Sequence, residues 1–169
     1  NSGINVRLVH NLDQACNVNY TSVTGNCGAP GALCVYASTA PTTIVDQSTV
    51  TNTITVPSLG GQTITDLNVF VNISHTYVSD LRLTLTSPAG TSVPLLSTGV
   101  CTNNQNMVVE FDQQASSAIG VTCPPTNIFA IPASSLSTLN GQVMQGAWTL
   151  SVQDAAAQDA GTLNSWCLI

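Results

Sequence analysis

Few side chains in this 169-residue sequence are suited to acid–base, metal or nucleophilic chemistry. Lysine is absent, which removes Schiff-base chemistry. A Ser/His/Asp arrangement needs a histidine, and only His10 and His75 exist. His75 ends an apolar alternating run, in phase with Ile73 and five residues before Asp80, and it reads as a turn histidine satisfied by backbone or hydroxyl groups. The sequence contains no GxSxG elbow, HExxH helix or phosphate-binding glycine loop. Asp154 and Asp159 could be paired as glycosidase carboxylates, but both lie in the segment DAAAQDAG between two strand-like runs. Aspartates in such a loop ordinarily accept backbone N–H groups of the turn. Calcium needs several hard oxygens converging from loops. Asp80, Asp112, Asp154 and Asp159 stand at strand ends or in loops and form the candidate calcium set, although no EF-hand spacing is present. The competing reading gives each of these aspartates its own turn to cap.

The six cysteines have no CxxC spacing, so they read as three disulfides made in an oxidising compartment, which implies a secreted or extracellular chain. Cys101 and Cys123 flank one loop and are expected to pair. Closing a loop of about 20 residues stabilises by roughly 3 kcal/mol in the chain-entropy model. Cys16, Cys27, Cys34 and Cys167 then allow three connectivities. Cys167 sits between Trp166 and Leu168, so alternation turns it outward, toward whatever lies over the sheet. Cys16–Cys167 with Cys27–Cys34 is the favoured scheme, because it ties the N-terminal part to the last strand; the other two remain open.

The elements that must position these groups are strands. Leu67, Val69, Val71 and Ile73 alternate with Asp66, Asn68, Phe70 and Asn72; Leu81, Leu83 and Leu85 alternate with Arg82, Thr84 and Thr86. Val50, Ile54 and Val56 share a parity, as do Met107, Val109 and Phe111, and then Trp148, Leu150 and Val152. Turn signals at Pro57–Gly61, Ser87–Gly90 and Ala160-Gly161 separate the runs. Strands with one apolar face must hide those faces against each other, which predicts an all-β sandwich. Trp148 and Trp166 share parity with apolar neighbours and belong to the core rather than to a sugar-stacking surface. Phe70 points opposite to Val69 and Val71, which makes it either a contact site or a residue covered by the N-terminal part. Asn19-Tyr20-Thr21 and Asn72-Ile73-Ser74 are glycosylation sequons. Residues 1–45 carry few strand signals, and residues 113–146 read as a long loop with one helical turn near Ser134 to Leu139.

Charged residues are only 6% of the chain, against about 25% in an average domain. Seventeen serines and 22 threonines supply surface polarity instead. Arg7 and Arg82 are the only basic side chains other than histidine, and the net charge is −6. No basic patch exists for nucleic acid or anionic membrane. No apolar run approaches the roughly 20 residues of a membrane helix, so no membrane insertion is expected.

Residues 64–96, ITDLNVFVNISHTYVSDLRLTLTSPAGTSVPLL, together with Gly141, Gly146, Trp148, Leu150, Val152, Asp154, Gly161-Thr162-Leu163 and Trp166, resemble the P domain, or Homo B domain, of proprotein convertases and bacterial secreted peptidases. The resemblance covers roughly 48–169, so residues 1–45 are set apart as an N-terminal extension and 46–169 as the P domain. It implies a jelly-roll-like β-sandwich of about eight strands, stapled by disulfides. It also implies a non-catalytic accessory role: packing on a peptidase catalytic domain of the same parent chain, subtilisin-like or metallopeptidase, and stabilising it or assisting its folding. The family often carries an aspartate pair where this chain has Asp112-Gln113, a departure that weakens the calcium expectation. The alternative is an attachment module for a protein or polysaccharide substrate or a cell surface. An exposed aromatic row would favour attachment, and a flat apolar patch near Phe70 the accessory role.

Overall fold

The computed structural model describes residues 35–38, 40–58 and 60–169. His10, Asn19, Cys16, Cys27 and Cys34, and with them the Cys16–Cys167 and Cys27–Cys34 pairings, lie outside the described residues. Among the described residues ten strands follow in order: β1 Tyr36–Ser38, β2 Thr42–Ile44, β3 Thr49–Val56, β4 Val69–His75, β5 Leu81–Thr86, β6 Ser92–Leu96, β7 Met107–Phe111, β8 Thr126–Ala130, β9 Gly146–Asp154 and β10 Gly161–Leu168. They form two sheets. The first runs β1-β10-β4-β7-β8, with β2 also on β10, and the second runs β3-β9-β5-β6. Pairing is antiparallel except between β7 and β8. This is the expected all-β sandwich.

The alternation explains which faces meet. Leu81, Leu83 and Leu85 are fully buried while Arg82 is exposed; Val69, Val71 and Ile73 face them from the first sheet. Met107, Val109, Phe111, Trp148, Leu150 and Val152 complete the same core. On β10 the register slips between Leu163 and Ser165. That bulge inserts Asn164 and lets Leu163 and Trp166, which differ in parity, both point inward. Asn164 Nδ2 holds the bulge by donating to Asn72 Oδ1 at 3.0 Å and to Ser74 Oγ at 2.9 Å.

Two stretches differ from the sequence reading. β8 lies inside 113–146, where only a loop with one helical turn is expected. Its TNIFA has only three apolar residues and its pattern is exposed at the start, so alternation is weak. The helical turn is present, as a 3₁₀ turn at Leu136–Leu139. In addition, the sandwich takes in β1 and β2, which fall within the residues assigned to the extension: Tyr36 pairs with Leu168 and Thr42 with Leu163. The loops after β6 and before β8 are joined by the Cys101–Cys123 disulfide, with Cα atoms 5.4 Å apart.

Candidate functional site

The candidate residues gather at the end of the sandwich where β4 and β9 finish. Leu81 pairs with Asp154, which brings Asp80 beside the end of β9; Gly161 pairs with His75, which brings the Asp159 loop over the end of β4. A 3₁₀ turn at Val78–Asp80 crosses from the first sheet to the second, so His75, Asp80, Asp154 and Asp159 converge from both sheets. Asp112 does not join them. It follows Phe111, which pairs with Val69 at the far end of β4.

His75 is closed to chemistry by its surroundings. Nδ1 lies 3.0 Å from the Tyr77 carbonyl oxygen and 3.2 Å from the Tyr77 N–H, so the Tyr77 backbone holds that side of the ring. Nε2 stands 3.4 Å from Asp154 Oδ2, and both side chains have no exposed surface. Neither atom makes a well-formed hydrogen bond, so this is a close contact between the sheets rather than a strong bond. A triad would need one ring nitrogen aimed at a nucleophile and an approach for substrate. Here one nitrogen is held by backbone, the other faces the carboxylate, and no approach exists.

The carboxylates serve turns and each other. Asp154 Oδ1 accepts Ala156 N–H at 3.3 Å, and Asp112 Oδ1 accepts Gln114 N–H at 2.6 Å. Both are the short-range turn bonds aspartate favours. Thr76 Oγ1 donates to Asp159 Oδ1 at 2.6 Å and accepts Ala160 N–H at 3.2 Å, clamping the DAAAQDAG loop to the end of β4. Burial, then a hydrogen bond with Asp159 and the charges of Asp159 and Asp154, push the Asp80 carboxyl above its ordinary value. The Thr76 hydroxyl holds Asp159 below its own.

A calcium ion takes about six to eight oxygens. Among the described residues no three His, Cys, Asp or Glu side chains are placed to hold one metal ion. Asp80, Asp154 and Asp159 are near one another, and Asp154 Oδ1 and Asp159 Oδ1 are engaged by the Ala156 N–H and the Thr76 hydroxyl. Asp112 lies at the other end of β4, so the four candidates do not share one site. Millimolar calcium or a chelator is expected to leave the melting temperature unchanged; a calcium-dependent rise lost in Asp159→Asn would contradict this.

The Asp80 shift has a sign. A raised folded pKa means the native state prefers the protonated form, so the contribution of Asp80 to stability is full at low pH and declines as pH rises through the raised value. Asp159, held below its ordinary value, contributes above that value and loses its contribution as pH falls through the lowered one. Asp80→Asn keeps a donor for Asp159 and removes the repulsion. It is expected to be more stable than the parent at pH 7 in urea titrations, with the gap closing in acid below the carboxylate range. A variant less stable at pH 7 would show that the Asp80 charge is needed.

Trp148 and Trp166 are buried, at 1% and 0% exposure, as core residues. Phe70 is also buried, at 3%, so it is a covered residue rather than an open contact site, and it supplies no exposed apolar patch of the kind that would favour the accessory role over attachment. Its neighbours on the outer face of the first sheet are Cys167 and, partly buried, Val35, Val108, Phe129 and Ile169. Asn72 is partly buried and accepts from Asn164, so its sequon is engaged in the bulge. Reading strands for parity missed Glu110, a buried carboxylate on that outer face; a lone acid between Val109 and Phe111 was the available signal.

Residues 64–169 match the family model of the proprotein convertase P-domain. Leupeptin-inactivating enzyme 1 of Streptomyces exfoliatus is 30% identical over 161 residues, 94% of this chain and 31% of that protein. The transglutaminase-activating metalloprotease of Streptomyces mobaraensis is 27% identical over 156 residues, 92% of this chain and 17% of that protein. The chain thus spans less than a third of the length of either relative, and the likeness to both reaches beyond the P-domain segment into the N-terminal part. The fold is shared with a serine protease of Aeromonas sobria, solved in complex with a chaperone, at a TM-score of 0.52 and 22% identity over 80% of this chain and 26% of that one.

Proposed function

The chain belongs to the proprotein convertase P-domain family, and from that premise we propose that it is the non-catalytic accessory domain of a secreted peptidase, stabilising the catalytic domain of the same parent chain. The observation that carries the reading is the pattern of coverage. Almost the whole chain aligns with one portion of much longer protease-related proteins. The chain's own chemistry is consistent with a supporting part, since its best-placed histidine is sealed between Tyr77 and Asp154. In mechanism, a domain that packs only on the folded catalytic domain favours that state by mass action. The Cys101–Cys123 disulfide and the charge-poor, hydroxyl-rich composition suit an extracellular setting.

The attachment reading has less to stand on. Among the described residues no aromatic side chain is exposed, and the large exposed apolar residues are Val45, Val121 and Val143. The purified chain is expected to turn over neither casein nor an ester substrate. Deleting it from the parent is expected to cut the yield of active secreted peptidase about tenfold or more, which corresponds to roughly 1.4 kcal/mol of lost folding bias. An unchanged yield of active enzyme would sink the proposal.

A further inference from the structure

The outer faces of the two sheets are unlike. On the first sheet that face is closed: Phe70 and Cys167 are buried, with Val35, Val108, Phe129 and Ile169 packed against them. The outer face of the second sheet is open and built almost wholly of hydroxyls. β3 presents Thr49, Thr51, Thr53 and Thr55, all exposed. The register continues the Thr53 position through Thr149 and Thr86 to Ser92, one residue from each of the four strands. The hydroxyls of this row already meet, Thr53 with Thr149 at 3.4 Å and Thr86 with Ser92 at 2.9 Å. The row that starts at Thr49 runs through Gln153 to Arg82. Arg82 is exposed, and it is the one arginine or lysine among the described residues. No carboxylate stands at any of these positions, although the chain has eight acids against two arginines.

Such a face is cheap to cover. Threonine is stiff at χ1, so it gives up little rotamer freedom in a contact, where lysine or glutamate would give up much. Its methyl packs while its hydroxyl bonds, and a single charge needs a new partner. The end of the sandwich that gathers Asp80, Asp154 and Asp159 would instead demand the desolvation of several carboxylates. The edge strand agrees with the face. β3 ends the second sheet, and its TVTNTITV has neither a charge nor a proline, the devices that ordinarily keep an edge single, whereas β6 at the other edge carries Pro94. The size also suits. Four strands about 4.8 Å apart and about seven residues long, at roughly 3.3 Å each, give a face of about 400 Å². Counted on both sides, that falls within the roughly 600–1,500 Å² of contacts between domains of one chain.

We propose that the outer face of the second sheet is the surface that packs on the peptidase catalytic domain, against a flat protein face that is uncharged at its centre and sets a carboxylate opposite Arg82. This rests on the accessory role proposed above and adds to it the surface and the chemistry of the contact.

The test uses the intact parent peptidase beside the purified chain. Phenylglyoxal, which modifies exposed guanidinium groups, is expected to label Arg82 at least about tenfold more slowly in the parent than in the purified chain, read by mass spectrometry. The double variant Thr51→Glu/Thr53→Glu of the parent is expected to inactivate on heating about tenfold faster than the unaltered enzyme, as removal of the whole domain does. Thr126→Glu, the same change at an exposed position of β8 on the first sheet, is expected to stay within about twofold. Urea midpoints of the purified chain with each change check that the domain itself still folds, and if the glutamates unfold it the labelling of the unaltered proteins decides alone. Equal labelling of Arg82 in the two proteins would overturn the proposal, as would a double variant that inactivates like Thr126→Glu. If removal of the domain still speeds inactivation in that case, the accessory role stands and only the docking face is wrong. If removal changes nothing either, the role falls together with the face.

Discussion

Gly161→Ala is expected to destabilise the domain by about 3–5 kcal/mol, enough to leave much of it unfolded. Gly161 opens β10 opposite His75. A Cβ there would overlap the carbonyl oxygen of Ser74 and lie 2.6 Å from His75 Cδ2 and 3.1 Å from its Cα. None of these atoms can yield cheaply. Ser74 is in the β4–β10 ladder, and the His75 ring is fixed between Tyr77 N–H and Asp154. Gly90→Ala is the informative control. Gly90 has φ +85° with nothing within 4 Å of its added Cβ, so only the left-handed backbone is penalised, by about 1–2 kcal/mol. Urea midpoints of the two variants check the argument, and equal losses would contradict the close approach of β10 to β4.

The second large effect lies at Trp166. Its ring is fully buried, and its Nε1 donates to Asn52 Oδ1 at 2.8 Å, a bond from the first sheet to β3 of the second. Asn52 occupies an inward position of β3 and in turn donates from Nδ2 to Thr42 Oγ1 at 2.9 Å. Trp166→Ala leaves a large cavity and strands the Asn52 oxygen, so a loss of about 3–5 kcal/mol is expected. Trp166→Phe keeps most of the apolar volume and loses only the donor, at about 1–3 kcal/mol. Equilibrium unfolding separates them. Equal losses for Ala and Phe would mean that the hydrogen bond, and not the filled volume, dominates.

The strands that were legible in the sequence are those with a clean two-residue period: β4, β5, β7 and β9 carry apolar residues on one parity, and the core is built from them. β8 was hidden because TNIFA pairs in parallel at a sheet edge, where one face is only partly buried and alternation fades. β1 and β2 were hidden because three residues are too few for a period to declare itself. The candidate site was legible in part. His75, Asp154 and Asp159 were marked by their positions at strand ends, but their convergence depends on which strands pair, which periodicity does not encode. Asp112 carried the same local signature and lies at the other end of β4 for that reason. Phe70 shows the same limit. Its outward direction followed from parity, whereas its burial depends on packing with Cys167, Val35, Val108, Phe129 and Ile169, which parity does not show.

The proposed role of this domain is to stabilise an attached peptidase. The direct measurement is the rate of thermal inactivation of the parent peptidase, intact and with this domain removed, together with kcat/KM on a small soluble peptide. Removal is expected to speed inactivation by about tenfold or more, equivalent to roughly 1.4 kcal/mol, while kcat/KM of the surviving enzyme stays the same. Equal inactivation rates, with loss confined to binding or cleavage of an insoluble substrate, would contradict it and assign the domain to attachment.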